Sequence, residues 1–412
     1  MKTATRRETI LEHGFPDKKW ECEPGLGSWY TEEEVEAVVS TVRKCMDWTV
    51  GFGFICDEIL EFEEKFAGYC GTAHAVSCTS AGAGLDMAVT ALDLEPGDEV
   101  ICPAINFKAA HHAILGRGGK LVLCEVDPQT LCADSADVES RITPNTRAIL
   151  VTHMNGLSAD MDALLEIAER HPHPKHGPIK VIGDAARALG AEYKGTKVGK
   201  KGCMTVFSFH TMKLMTTLGE GGMITTDDPE VAERLRGIRW WGNGTGCWGG
   251  NYKITKVQAA VGLVQLRRLD EMLSLRHDRA SQRTDMLADF GHGDVELPVE
   301  PEGYRHSYYV YTLTVPPGWA GEKRDQLMQT LRENYGVGAG VANPPPYWTD
   351  EYIRRHVEGQ DLPVSEGLAK RILCPSLHPL MSEADNEYVA AAISEAIEKV
   401  AGGDSPGGQE GK

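Results

Sequence analysis

The strongest constraint on this chain is a repeated alternation between residues 73 and 182. Short apolar segments at Ala75–Cys78, Glu99–Pro103, Lys120–Val126, Arg147–His153 and Lys180–Asp184 alternate with longer amphipathic ones. The latter fall near Gly82–Leu92, Ala109–Leu115, Ser135–Arg141 and Met161–Arg170. Parallel neighbours in a sheet need a crossover connection, and strand–helix repeats take the right-handed one. The pattern predicts an α/β fold with a mostly parallel sheet between helices. Two further strands, Met204–Phe209 and Met223–Thr226, flank a glycine-rich turn and bring the expected sheet to seven strands.

Outside this region the texture differs. Thr31-Glu32-Glu33-Glu34 reads as a helix start, with Val35, Val38, Val39 and Val42 as an apolar stripe at helical spacing. A second helix is expected around Ile59 to Tyr69, another over residues 228–241, and a long one from Lys256 to Leu287. Beyond it come a strand (Tyr308–Val315), a helix (Lys323–Tyr335) and a last helix (Ser382–Ala401). A chain of 412 residues is too long for one simple core. The expected division is an N-terminal arm and helices packing on the main domain (1–70) and a large domain (71–255). A connecting helix with a small α+β domain (256–401) and a disordered tail (402–412) complete it.

Charge narrows the partners. Acidic residues number 60 against 42 basic ones, a formal net charge of −18, and no Lys/Arg run exceeds Lys200-Lys201. Nucleic acid is therefore not an expected partner. No apolar stretch approaches bilayer length, so no membrane span is expected. The N-terminus lacks a signal-peptide pattern, and the 11 cysteines, with no Cys-x-x-Cys pair, suit a reducing cytoplasm. His171, His173 and His176 read as a solvated turn, and no metal is expected.

Ligands of α/β sheets bind past the carboxyl ends of strands. There the sequence carries Asp184, Arg187, Ser208, His210, Lys213 and the turn Ser80-Ala81-Gly82, with Phe107 shortly after another strand. A helix start with small residues offers N–H groups to a phosphate, and Ser208 adds a hydroxyl. Phe107 suits stacking on a flat heterocycle, and Asp184 suits holding a ring nitrogen protonated. Lys213 suits imine formation with an aldehyde. These are the needs of pyridoxal 5'-phosphate. Lys213 and Asp184 are the expected catalytic pair; His210, Trp241 and Tyr347 are candidates for substrate contact.

The same motifs carry a resemblance. Pro96-Gly97-Asp98-Glu99-Val100, Asp184-Ala185-Ala186-Arg187-Ala188-Leu189-Gly190, Phe207-Ser208-Phe209-His210-Thr211-Met212-Lys213 and Gly219-Glu220-Gly221-Gly222 occur in this order. With Asn251-Tyr252-Lys253 and Gln258-Ala259-Ala260, they resemble the DegT/DnrJ/EryC1/StrS family of fold-type-I aminotransferases. The resemblance implies Lys213 as the cofactor-bearing lysine, Asp184 as the pyridinium partner, and Ser208 with Ser80-Ala81-Gly82 as the phosphate cup. It implies Phe107 as the stacking ring, and Arg187, where many relatives have Gln, near the cofactor's phenolic oxygen. Asn251 resembles a residue that reaches the neighbouring subunit's phosphate, which implies a homodimer with shared active sites. The implied reaction moves an amino group from an amino acid donor, Glu or Gln, to a keto-sugar or keto-cyclitol. A dehydration on the same cofactor and a non-catalytic regulatory protein are the alternatives; a dehydrating branch has His at the position of Lys213. Two departures touch the implied phosphate and dimer contacts: Ala81-Gly82 stands where relatives commonly have Gly-Thr, and Lys256 where an acid is usual.

Overall fold

Continuous runs of buried apolar residues generate the central sheet, because a strand covered on both faces cannot alternate with polar residues. Every residue of Glu99–Pro103 and Thr146–Thr152 is buried. Seven strands take part: β1 (His74–Cys78), β2 (Glu99–Pro103), β3 (Lys120–Cys124), β4 (Thr146–Thr152), β5 (Lys180–Asp184), β6 (Met204–Ser208) and β7 (Gly222–Thr226). Their order is β1-β7-β6-β5-β4-β2-β3. β7 runs antiparallel to both of its neighbours, and the other pairings are parallel. This computed structural model describes residues 2–15, 20–21, 24–342 and 344–402.

Helices cover both faces. On one, α4 (Ala81–Thr90), α5 (Lys108–Gly116) and α8 (Pro229–Arg239) enclose a core containing Leu85, Val100, Ile114, Val206, Ile224 and Leu235. On the other, α3 (Asp57–Cys70) and α9 (Lys256–Phe290) bring Phe62, Phe66 and Leu269 against Phe207, Phe209 and Met223. The shorter α6 (Ser135–Ser140) and α7 (Met161–Arg170) pack beside Ile101, Ile149 and Val181. α9 begins at a reciprocal capping box between Thr255 and Gln258, which satisfies two end donors at once. Beyond it, β8 (Leu313–Thr314), β9 (Ala339–Gly340) and β10 (Ile372–Pro375) form a small antiparallel sheet in the order β8-β10-β9. It shares a core with α10 (Glu322–Tyr335) and α11 (Glu383–Gly402).

Several expectations change. The strand predicted over Tyr308–Val315 shrinks to Leu313–Thr314. The reason is competition for its backbone groups. Ser307 N–H donates to the Gly156 carbonyl, Tyr308 N–H to His306 Nδ1, and Arg276 binds the carbonyls of Tyr308 and Tyr309. The valine stripe of α2 (Glu32–Cys45) does not face the core: Val35 is 51% and Val42 45% exposed, while Glu34 and Thr41 are buried. Glu34 turns inward because Gln265, Arg268 and the Thr31 N–H satisfy its carboxylate. α1 (Lys2–His13), expected with the other N-terminal helices on the main domain, instead packs mainly on α11, where Arg7 meets Glu395 and Glu398. Of the tail expected at 402–412, only Gly402 falls within the described residues. Among the described residues no helix is long and apolar enough to cross a membrane.

Candidate active site

The carboxyl ends of the parallel strands open into a cavity of about 570 Å³. Its wall includes Ser80, Ala81, Gly82, Phe107, Asp184, Arg187, Ser208, His210 and Lys213. Nine residues selected from four separate sequence segments thus share one cleft.

One end of the cleft is shaped for an anion. Ser80 caps α4, its Oγ accepting from Ala83 N–H at 3.1 Å, so the first turn of the helix opens onto the cavity. Opposite it, Gly222 passes so close to Ser80 that a Cβ there would lie 2.7 Å from the Ser80 carbonyl carbon. Only glycine lets β7 and the α4 turn approach this closely. Ser208, at the end of β6, accepts from His210 N–H through Oγ at 3.3 Å and keeps its own hydroxyl proton available. Helix dipole, backbone N–H groups and a hydroxyl converge there.

Asp184 ends β5 and is 4% exposed. Burial pushes its carboxyl pKa up; the Ala186 N–H at 3.0 Å and the charges of Lys213 and Arg187 pull the other way. A buried carboxylate on a cavity wall is stabilised by a cation placed against it. A protonated ring nitrogen meets that requirement. Phe107, at the start of α5, is 55% exposed and lines the same cavity, so core packing does not account for it.

Lys213 lies in the loop after β6, where its N–H donates to the His210 carbonyl at 2.9 Å. Its Nζ donates to the Tyr309 hydroxyl at 3.3 Å and sits 4.4 Å from the centre of that ring. The loop is strapped from outside by Gly27: Gly27 N–H donates to the Thr211 carbonyl at 2.9 Å, and Thr211 Oγ1 to the Gly25 carbonyl at 3.0 Å. Arg276 fastens the strap, donating to the Gly27 carbonyl at 2.6 Å and to the Leu377 carbonyl at 3.1 Å. Burial lowers the Arg276 pKa to about 10.

Arg187 donates from Nη1 to Asn155 Oδ1 at 3.0 Å and lies over the Tyr309 ring, 5.3 Å from its centre. His210 lines the cavity, with Nδ1 accepting from Met212 N–H at 3.3 Å. Three candidates stand apart from this chain's own cavity wall. Asn251 is exposed, bridged to Trp240 and bonded to Lys253. Trp241 is exposed with a left-handed φ of 58°. The Tyr347 hydroxyl donates to Glu366 Oε1 at 2.9 Å, so its polar end is already engaged.

Sequence reasoning missed Tyr309, Arg276 and Asn155. Tyr309 was hidden in a run read as a regular strand. Arg276 is one of many charged residues on a long helix. Asn155 follows a strand, and its left-handed φ of 55° leaves no pattern signal beyond the Gly156 beside it.

Comparison with known proteins agrees with this geometry. Residues 31–394 match the family described as the DegT/DnrJ/EryC1/StrS aminotransferase family. GDP-perosamine synthase of Caulobacter vibrioides is 36% identical over 362 residues, covering 86% of this chain and 94% of that protein. UDP-4-amino-4-deoxy-L-arabinose--oxoglutarate aminotransferase of Shewanella sediminis is 33% identical, covering 91% and 97%. The solved PLP-form of Spr1654 from Streptococcus pneumoniae superposes with a TM-score of 0.82 at 25% identity, covering 92% of this chain and 99% of that one.

Proposed function

This chain belongs to the DegT/DnrJ/EryC1/StrS aminotransferase family, and from that premise we propose that it is a pyridoxal-phosphate enzyme aminating a nucleotide-linked keto-sugar with glutamate or glutamine as donor. The observation that carries the reading is the sharing of one cavity by the Lys213 amine, the buried Asp184 carboxylate and the Ser80–Gly82 helix start. Two relatives named for nucleotide sugars, or for products made from them, support the acceptor class, and one named for oxoglutarate supports glutamate as donor.

The residues fit the cofactor. Ser80, Ala81, Gly82 and Ser208 would hold its phosphate, Asp184 its ring nitrogen, and Phe107 its face. When bound, pyridoxal phosphate supplies an electron sink for the carbon attached to nitrogen. Lys213 Nζ would hold the cofactor's aldehyde carbon and would move a proton at the reacting carbon. Tyr309 holds that amine at the cavity wall. The Gly25–Gly27 strap fastens the backbone of the Lys213 loop. His210 is assigned to substrate contact.

Asn251 is assigned to the phosphate of a second copy's site, in a homodimer. Trp48 (91% exposed), Phe54, Trp240 and Trp241 support such a face, since this much exposed aromatic surface marks an interface.

The test is spectroscopic. Purified protein supplied with pyridoxal phosphate is expected to develop a visible absorption band that bleaches on adding glutamate or glutamine, with one 2-oxo acid formed per cofactor. Lys213→Ala is expected to lose that band. A parent protein that stays colourless with excess cofactor sinks the reading. Product analysis with 4-keto nucleotide sugars then separates amination, which consumes donor one for one, from dehydration, which does not.

A further inference from the structure

We infer that Arg187 is the donor-recognition residue of this site, receiving the α-carboxylate of the amino acid; the inference rests on the proposed function. Asn155 takes one nitrogen of the guanidinium, Nη1, at 3.0 Å. The Tyr309 ring supports one face. Nε and Nη2 make no hydrogen bond to the described residues, and the side chain lines the cavity. The unoccupied edge is the one whose two parallel N–H groups match a carboxylate. A single phenolic oxygen would use only half of it.

The other cations of the wall are engaged. Arg276 directs its guanidinium at the carbonyls of Gly27, Tyr308, Tyr309 and Leu377. His378 Nε2 meets the Leu26 carbonyl at 2.9 Å. Lys213 is committed to the chemistry. Among the described residues, Arg187 is therefore the guanidinium on this wall with donors left for a ligand.

Position supports the assignment. Lys213 Nζ and the Arg187 guanidinium lie 4.4 and 5.3 Å from the centre of the same Tyr309 ring. An α-amino acid carries its nitrogen and its carboxylate on one carbon, and the amine and the guanidinium that would meet them border the same ring. The need is also electrostatic. A chain of net charge −18 repels glutamate, which carries two carboxylates and one ammonium, unless a local cation offsets the field. Asn155 is the positioning residue: it holds the guanidinium from a left-handed backbone conformation that asparagine tolerates better than most residues.

The experiment compares a donor with its own α-amide, in which a neutral group replaces the carboxylate. Cofactor-loaded parent is expected to bleach ~10- to 100-fold faster with the carboxylate form at equal low concentration, the scale of a charge-assisted pair. In Arg187→Gln the preference is expected to fall to within ~3-fold, through the donor KM, with Arg187→Lys recovering part of it. A merely structural role would slow both donors equally and leave the ratio intact. In a second arm, calorimetry on the loaded protein measures glutarate against glutaramide. Arg187→Gln is expected to weaken glutarate ~10-fold or more and leave glutaramide unchanged. The inference is overturned if the ratio survives in Arg187→Gln, or if that variant shifts the visible band before any donor is added while glutarate affinity stays the same. The latter result would assign Arg187 to the cofactor's phenolic oxygen. Should the parent bleach with no amino acid at all, the proposed function fails, and the glutarate arm alone decides whether Arg187 is an anion site.

Discussion

Asp184 bears a cost that its folded surroundings impose. Burial raises its pKa above the unfolded value, so the folded, cofactor-free chain holds this proton more tightly than the unfolded chain does. The stability linked to this group is complete below the ordinary carboxylate range and is lost as pH rises through the raised value. Asp184→Asn, which cannot ionise, is therefore expected to melt on the order of a few degrees above the parent at neutral pH without cofactor. The gap should close in acid, and excess pyridoxal phosphate should raise the melting temperature of the parent but not of the variant. A gap that is constant from pH 3 to pH 8 would show that titration is not its cause. Lys213, Asp184 and Ser208 were legible because each ends a predicted strand or follows one closely, where α/β folds bind ligands. Tyr309 and Asn155 were not, because their positions depend on contacts between segments about 150 residues apart.

At the scale of elements, the strap over the Lys213 loop is a tightly packed junction. A Cβ at Gly27 would lie 2.2 Å from the Met212 carbonyl oxygen and 2.5 Å from that of Lys213. Backbone cannot yield as a side-chain tip can, so Gly27→Ala must lift the strap or shift the loop. Overpacking of this kind costs about 1–3 kcal/mol. The expected result is a lower melting temperature together with weaker retention of pyridoxal phosphate, read as its loss on dialysis. Retention equal to the parent's would mean that the strap does not fix the loop. Periodicity located the strands of the central sheet to within a residue or two because their burial is nearly continuous. At α2 it located the helix, but spacing alone could not tell an apolar stripe facing the core from one facing outward. Glu34 faces inward because Gln265 and Arg268, far along the chain, compensate its charge.

For the molecule as a whole, the exposed aromatics around Trp48, Phe54 and Trp241 lead to a prediction about assembly. Light scattering is expected to give twice the mass of one chain. Mixing Lys213→Ala with Asn251→Ala subunits, after dissociation and reassociation, should restore turnover that neither has alone. Each mixed dimer then holds one site with an intact lysine and an intact partner asparagine. No recovery from a demonstrated mixed dimer would remove Asn251 from the neighbouring site. The sequence by itself determined the layered α/β architecture and which residues gather past the strand ends, since strand burial, helix starts and strand ends leave local patterns. Only the tertiary structure decided which groups hold those residues in place. The Tyr309 hydroxyl at Lys213, the Asn155 clamp on Arg187 and the Arg276 bridge to Gly27 join segments remote in sequence. Such pairings follow from packing, which no local periodicity encodes.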